Sequence, residues 1–383
     1  MITITDTKSL EAAMGSLENA TYVTVDTEFK RTNTYWPILC LIQIAGPDEA
    51  YIIDPLVDGI DLASFYALMA NRDVLKVFHA SRQDLEIFFH ENGELPHPVF
   101  DTQIAAMVCG FGDSVGYETL VNQLANQQID KSSRFTDWSR RPLSKQQLNY
   151  AIGDVTHLRV IYEQLADKLG NNGRAEWLRE EMDDLENPAT YVTPPEEAWL
   201  RLKTRSNNRR FLALVRAIAA WREETAQKSD IPRNRIMRDD LIMELAAHPP
   251  GNVEEMKAVK NIPKQAVSPR NGMPNLLNAI AAAKKLPQDQ QPEARKQKKL
   301  PRGIGPTVDL LKVLLKQKCE AEGVAQKLIA NVADLELLAA DDNADIAALR
   351  GWRREVFGSD ALELKSGKLA LSVRQNKIQV TKL

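Results

Sequence analysis

Three β-rich runs fall within the first 54 residues, and their spacing restricts the fold more than any other feature. Tyr22 to Asp26 alternates like a strand, Leu39 to Ala45 is nearly continuously apolar, and Ala50 to Asp54 ends at Pro55. Runs this close together favour antiparallel hairpins. Leu75 to His79 reads as a further strand that enters a helix from Arg82. From there to about Gly170 the pattern is largely helical. That order predicts an α/β domain, a mixed sheet with helices packed on it.

The rest of the chain is divided by two linkers. Asn187 to Pro195 is proline-rich, and Leu286 to Arg302 is rich in Pro, Gln and Lys with almost no apolar content. They predict three units, at 1–190, 198–286 and 303–383. The last two read as helical and of similar size, as a degenerate repeat would, and the last ends in a small hairpin around Gln375-Asn376-Lys377. A length of 383 residues agrees with two or three domains.

Charge separates along the same cuts. The whole chain carries a formal −3, but residues 1–195 hold 15 Lys and Arg against 29 Asp and Glu. Residues 200–318 reverse the balance, with 25 basic against 11 acidic. Basic segments attract polyanions, and acidic ones offer oxygen ligands to metal ions. Three cysteines (Cys40, Cys109, Cys319) lie far apart with no CxxC, which argues against a disulfide framework or a zinc ribbon. The N-terminus has no signal-peptide pattern, and the most apolar helical stretch, Phe211 to Trp221, is short and broken by Arg216. A cytoplasmic protein without membrane association is expected, with a monomer as the simplest state.

Three local patterns carry chemistry. Asp26-Thr27-Glu28 closes the first strand, so Asp26 and Glu28 share one face and repel each other unless a cation lies between them. A lone D-x-E is more often a solvated strand end. Ser81-Arg82-Gln83-Asp84 matches a capping box, with Asp84 as its acid. That helix starts at the sheet edge where active sites gather. Tyr150 and Asp154 are i, i+4 neighbours on a helix that Ser144 can cap, beside an apolar stripe running from Ala151 to Leu169. Burying Asp154 there demands a partner.

Taken in order, Val25-Asp26-Thr27-Glu28-Phe29, His79 to Asp84, and Tyr150 to Asp154 resemble the three exonuclease motifs of the DEDD superfamily. Tyrosine four residues before the last aspartate matches the tyrosine subclass; the histidine subclass would carry His where this chain has Asn149. Glu28 to Pro37, Gly93 to Pro96, Asp101 to Gln103 and Thr136 to Leu143 are similar to the bacterial ribonuclease D family. Lys203 to Lys285 resembles its HRDC domain, and 303–383, with Gly351-Trp352-Arg353-Arg354, a second and more divergent copy.

The resemblance implies a ribonuclease-H-like α/β exonuclease domain followed by two small all-α HRDC-type domains. It implies a 3′-5′ exoribonuclease that trims structured RNA 3′ ends, tRNA precursors foremost, and releases nucleoside 5′-monophosphates. Its cofactor would be two divalent ions, Mg²⁺ or Mn²⁺. By analogy Asp26, Glu28 and Asp154 hold one ion, Asp26 bridges to the second, Asp84 acts there through water, and Tyr150 orients the attacking water. An exonuclease acting on DNA would use the same site, and a catalytically dead RNA-binding adaptor is the other alternative.

Four further residues are candidate substrate contacts. Phe29, like Tyr35 and Trp36, offers a ring for base stacking, or for packing. Gln43 could reach a ribose hydroxyl, His79 adjoins the second motif, and Arg141, like Arg140, suits phosphate or neighbouring carbonyls. Asp101 reads as a helix cap rather than a fifth ligand. Arg201, Lys203, Arg205, Arg209, Arg210 and Arg216 could line an RNA track, with Arg295, Lys296, Lys298 and Lys299 adding nonspecific contacts from the linker.

Overall fold

The computed structural model describes residues 2–267, 275–294 and 300–383, so the linker cluster Arg295 to Lys299 lies outside the described residues. One sheet runs in the spatial order β1 (Ile2–Ile4), β4 (Ala50–Ile53), β3 (Ile38–Ala45), β2 (Tyr22–Lys30), β5 (Leu75–Phe78) and β6 (Val99–Asp101). β2, β3 and β4 pair antiparallel as their spacing predicts, while β1, β5 and β6 join in parallel. The two outer strands have three residues each and show no periodicity to read.

Side-chain alternation along β2 assigns its two faces. Val23 and Val25 are fully buried against α1 (Thr7–Leu17), α2 (Ala63–Ala70) and α3 (Arg82–Asn92). Thr24, Asp26 and Glu28 face the other way. There Thr24 Oγ1 donates to the Val155 carbonyl at 2.9 Å and ties the sheet to the long helix α6 (Lys145–Asn172). α4 (Thr102–Val108), α5 (Tyr117–Leu120) and α7 (Ala175–Leu185) complete the domain. A β-bulge between Glu28 and Phe29 breaks the register with β3 and re-aims the end of β2.

Both helical segments that follow pack on this domain. The first is built on the helix Arg209–Ser229, and its apolar core takes in Tyr35 from the β2–β3 loop. Tyr35 hydrogen-bonds the buried Glu223, the Trp36 amide donates to Asp230 at 2.9 Å, and the Trp36 ring stacks on His90 at 4.1 Å. These rings are therefore committed to docking rather than to base stacking. Arg209 and Arg216 donate to the Gln291 and Gln290 carbonyls and hold down the following segment.

The C-terminal helices share one continuous core with α4, α6 and α7, reaching from Leu158 and Leu178 to Leu311, Leu335 and Phe357. Trp352 stacks on Trp177 with centroids 4.2 Å apart, and the buried Arg353 pairs with Glu180 and Glu181. A side chain at Gly110 would lie 2.6 Å from the Gly323 carbonyl oxygen, so the two backbones meet only because Gly110 has none. The hairpin at Leu369–Arg374 and Lys377–Lys382 closes the chain as predicted. Among the described residues no helix is long and apolar enough to cross a membrane.

Candidate active site

A cleft of about 670 Å³ opens at the end of β2, between α3 and α6. Asp26 and Glu28 project into it from one face of β2, and Asp154 meets them from α6. One carboxylate oxygen from each of the three lies within 4.8 Å of the others. Tyr150, one turn earlier on α6, lines the same cleft. Ser144 caps α6, as the sequence suggests, and the structure adds Gln147 to complete a capping box.

Asp84 reaches the cleft from the first turn of α3, but not as the acid of a capping box. Ser81 makes no side-chain cap; its amide and hydroxyl donate to Asp101 Oδ2 at 2.8 and 2.9 Å. Asp84 instead accepts from the Thr27 hydroxyl, on the opposite face of β2 from Asp26 and Glu28. Asp101 caps α4 through the Gln103 amide at 2.8 Å and holds the turn at Ala80, whose φ of 58° is left-handed. Such a conformation in a residue with a β-carbon persists only where neighbours enforce it, and here it sits between the strand and helix that present His79 and Asp84.

The electrostatics follow from burying acids together. Asp26 is held well above the usual carboxylate range by burial and then by Asp154, Asp84 and Glu28. Glu28 is pushed up to about 9 by burial, with Asp154 and Asp84 adding repulsion. Asp84 and Asp154 also rise, chiefly through burial. Burial raises the Tyr150 phenol, so it is a neutral hydroxyl rather than a phenolate. A buried set of hard oxygen donors that repel one another matches a hard divalent cation and fits neither zinc thiolate nor haem chemistry.

The candidate substrate contacts divide. Phe29 and His79 line the cleft. Thr102 Oγ1 gives its proton to the Phe78 carbonyl at 2.9 Å, so His79 Nδ1, 3.0 Å away, must donate to that oxygen. Burial lowers the pKa of the ring, which favours its neutral form, and a neutral ring protonated at Nδ1 leaves Nε2 as an acceptor. Gln43 is paired across the sheet with Asp26 but is wholly buried, has no partner for either amide atom among the described residues, and does not reach the cleft wall. Arg141 is also absent from the cleft: it binds Asp54 at 2.5 Å and the carbonyls of Trp138 and Cys40 at 2.7 Å. It is held by the Asp54 carboxylate and by carbonyls rather than facing the cleft.

Other cleft residues escaped sequence reasoning. Tyr117 donates to the carbonyls of Asp154 and Gly153 at 2.7 and 3.1 Å, clamping α6 at its functional turn. Arg134 lies close enough to oppose the rise of Glu28 and Asp154, and its guanidinium sits 5.2 Å from the Phe135 ring centre. Phe135 is 90% exposed at the cleft, and its only sequence signal is an aromatic ring in a polar loop.

Comparison with known proteins agrees with this geometry. A family described as 3′-5′ exonuclease matches residues 1–170, and the HRDC domain matches residues 211–280. A ribonuclease D of Nitrobacter hamburgensis is 48% identical over 375 residues, covering 98% of each chain. One from Acidiphilium cryptum is 48% identical over 382 residues, covering 100% of this chain and 97% of its own. Among solved structures, Escherichia coli RNase D, described as an exoribonuclease involved in structured RNA processing, superposes with a TM-score of 0.78. It is 28% identical and the match covers 95% of this chain and 98% of that one.

Proposed function

The chain belongs to the ribonuclease D family of 3′-5′ exonucleases, and from that premise we propose that it trims the 3′ ends of structured RNA, tRNA precursors foremost, releasing nucleoside 5′-monophosphates. The observation that carries this reading is the meeting of Asp26, Glu28 and Asp154 oxygens within 4.8 Å in an open cleft. Family membership implies a divalent cation there; two ions, Mg²⁺ or Mn²⁺, are the proposed complement, with Asp84 serving the second. When bound, such a pair supplies an activated water and neutralises charge on the attacking and leaving oxygens.

The protein's own groups do the remaining work. Asp26 and Glu28 are fixed by strand geometry, so the ligand set is assembled before substrate arrives. Tyr150, neutral and one helical turn from Asp154, orients the attacking water by hydrogen bonding. Tyr117 keeps the α6 backbone in place behind Asp154. Phe29 and Phe135 offer faces on which terminal bases stack. His79 Nε2, an acceptor, suits a ribose hydroxyl, and a 2′-hydroxyl contact is what distinguishes RNA from DNA. The domain division at 1–190, 198–286 and 303–383, the second HRDC-like copy, a monomeric state and a cytoplasmic location belong to the same reading.

Matched RNA and DNA oligonucleotides with identical 3′ ends test it. Stepwise loss of 5′-monophosphates from the RNA, dependent on added Mg²⁺ or Mn²⁺, is expected. Faster degradation of the DNA, or release of oligonucleotides instead of mononucleotides, would contradict it.

A further inference from the structure

We propose that the crevice where the exonuclease domain, the connector after α7 and the first helical module meet is a phosphate subsite, gripping the RNA backbone a few nucleotides upstream of the 3′ end. This rests on the RNA reading above and adds a second, separate anchor to it. Four arginines from four segments converge there: Arg31 after β2, Arg82 in the first turn of α3, Arg201 in the connector and Arg233 in the helical module.

The charge is not balanced within the crevice. Glu86 holds Arg31 through two hydrogen bonds at 2.8 and 3.0 Å, and the buried Glu223 lies 3.5 Å from Arg233. Among the described residues no carboxylate pairs with Arg82, and Arg201 bonds only the Thr193 hydroxyl, at 3.1 Å. Two guanidiniums are thus left over. Their planar forks match phosphate oxygens in a bidentate manner.

Size and lining choose the phosphate over the base. The space is about 140 Å³, below the roughly 300 Å³ at which small-molecule pockets begin. The aromatic rings beside it are already used: Tyr35 is buried under the Arg233 guanidinium with its hydroxyl on Glu223, Trp36 stacks on His90, and Tyr191 is buried with its hydroxyl on the Leu185 carbonyl, so no platform remains for a base. Contacts of this kind position a strand without reading its sequence.

Continuity with the cleft supplies the route. Phe29 lines the active-site cleft and Arg31, two residues further along the same strand end, lines the crevice. Gln83 and Arg82 divide in the same way at the start of α3. A strand leaving the cleft past β2 and α3 meets the arginines within its next few phosphates, whereas a dinucleotide is too short to reach them.

The experiment compares kcat/KM for a dinucleotide and for an RNA of about eight nucleotides, in the full chain and in Arg82→Gln/Arg201→Gln. Both residues are exposed, so the folded state is expected to survive the exchange. The expected result is a fall of roughly tenfold in the ratio of long to short substrate, carried by KM, the size of one charge-assisted hydrogen bond. The slope of log Kd against log salt for the longer RNA, read by fluorescence anisotropy with Ca²⁺, should also shrink by about 0.7 for each phosphate that an arginine no longer neutralises. An unmoved ratio and slope would overturn the subsite while leaving the exonuclease intact. A wild-type chain that cuts neither RNA would instead count against the exoribonuclease reading, and the anisotropy slope would still decide the crevice.

Discussion

At the scale of single residues, Glu28 shows why the acids need an ion. Its folded carboxyl sits at about 9, above the ordinary 4.5, so the metal-free protein keeps a proton that the unfolded chain releases. Stability from this group is complete below about pH 4.5 and is lost as pH rises towards about 9. Thermal melts in EDTA should therefore show Tm falling across that window, and Glu28→Gln should flatten the fall. Saturating Mg²⁺ should also reduce it, since binding requires the deprotonated acids. A Tm in EDTA that climbs over the same window would contradict the electrostatic account. Phe135 belongs at this scale too. If its exposed ring stacks on a base, Phe135→Ala should weaken RNA binding by about 1–3 kcal/mol, measured as Kd with Ca²⁺ in place of the active ion.

At the scale of elements, α6 connects local sequence to chemistry. Ser144 closes its capping box, and the helix then carries Tyr150 and Asp154 to the cleft. Ser144→Ala should cost about 0.5–2 kcal/mol in urea unfolding and lower kcat if fraying reaches Tyr150. The antiparallel β2–β3–β4 unit, α6 and its cap, and the closing hairpin are all legible because short-range periodicity and turn residues determine them. β1 and β6 are not, since three-residue edge strands form only when a neighbour pairs with them. The Ser81 pattern misleads for a related reason: Asp101 lies 20 residues away in sequence and takes the serine for itself. Gln43 and Arg141 likewise depend on long-range packing, Gln43 being wholly buried and Arg141 held by Asp54, which no local pattern discloses. The five motif residues reach one cleft because three ordered motifs constrain one another far more than any one alone.

At the scale of the molecule, the linkers divide the chain into units in sequence, and packing joins those units in space. The last segment completes the core of the exonuclease domain, through the Trp177–Trp352 stack and Arg353 between Glu180 and Glu181. Trp352→Ala should lower stability by about 3 kcal/mol or more. A chain ending at residue 302 should expose the apolar faces of α4, α6 and α7 and bind the dye ANS or aggregate. A soluble, cooperative melt for that truncation would contradict the shared core. The opposed charges acquire a spatial sense as well: the acidic half contains the ion-binding cleft, and the basic stretch contributes Arg201 and Arg233 to the crevice beside it. The measurement that bears most directly on the whole account is a nucleotide-resolution time course on an RNA with a 3′ extension, comparing the native chain with Asp26→Asn in Mg²⁺. The native chain should shorten the RNA one nucleotide at a time from the 3′ end, while the folded Asp26→Asn protein leaves it intact; undiminished trimming by Asp26→Asn would contradict the assignment of the active site.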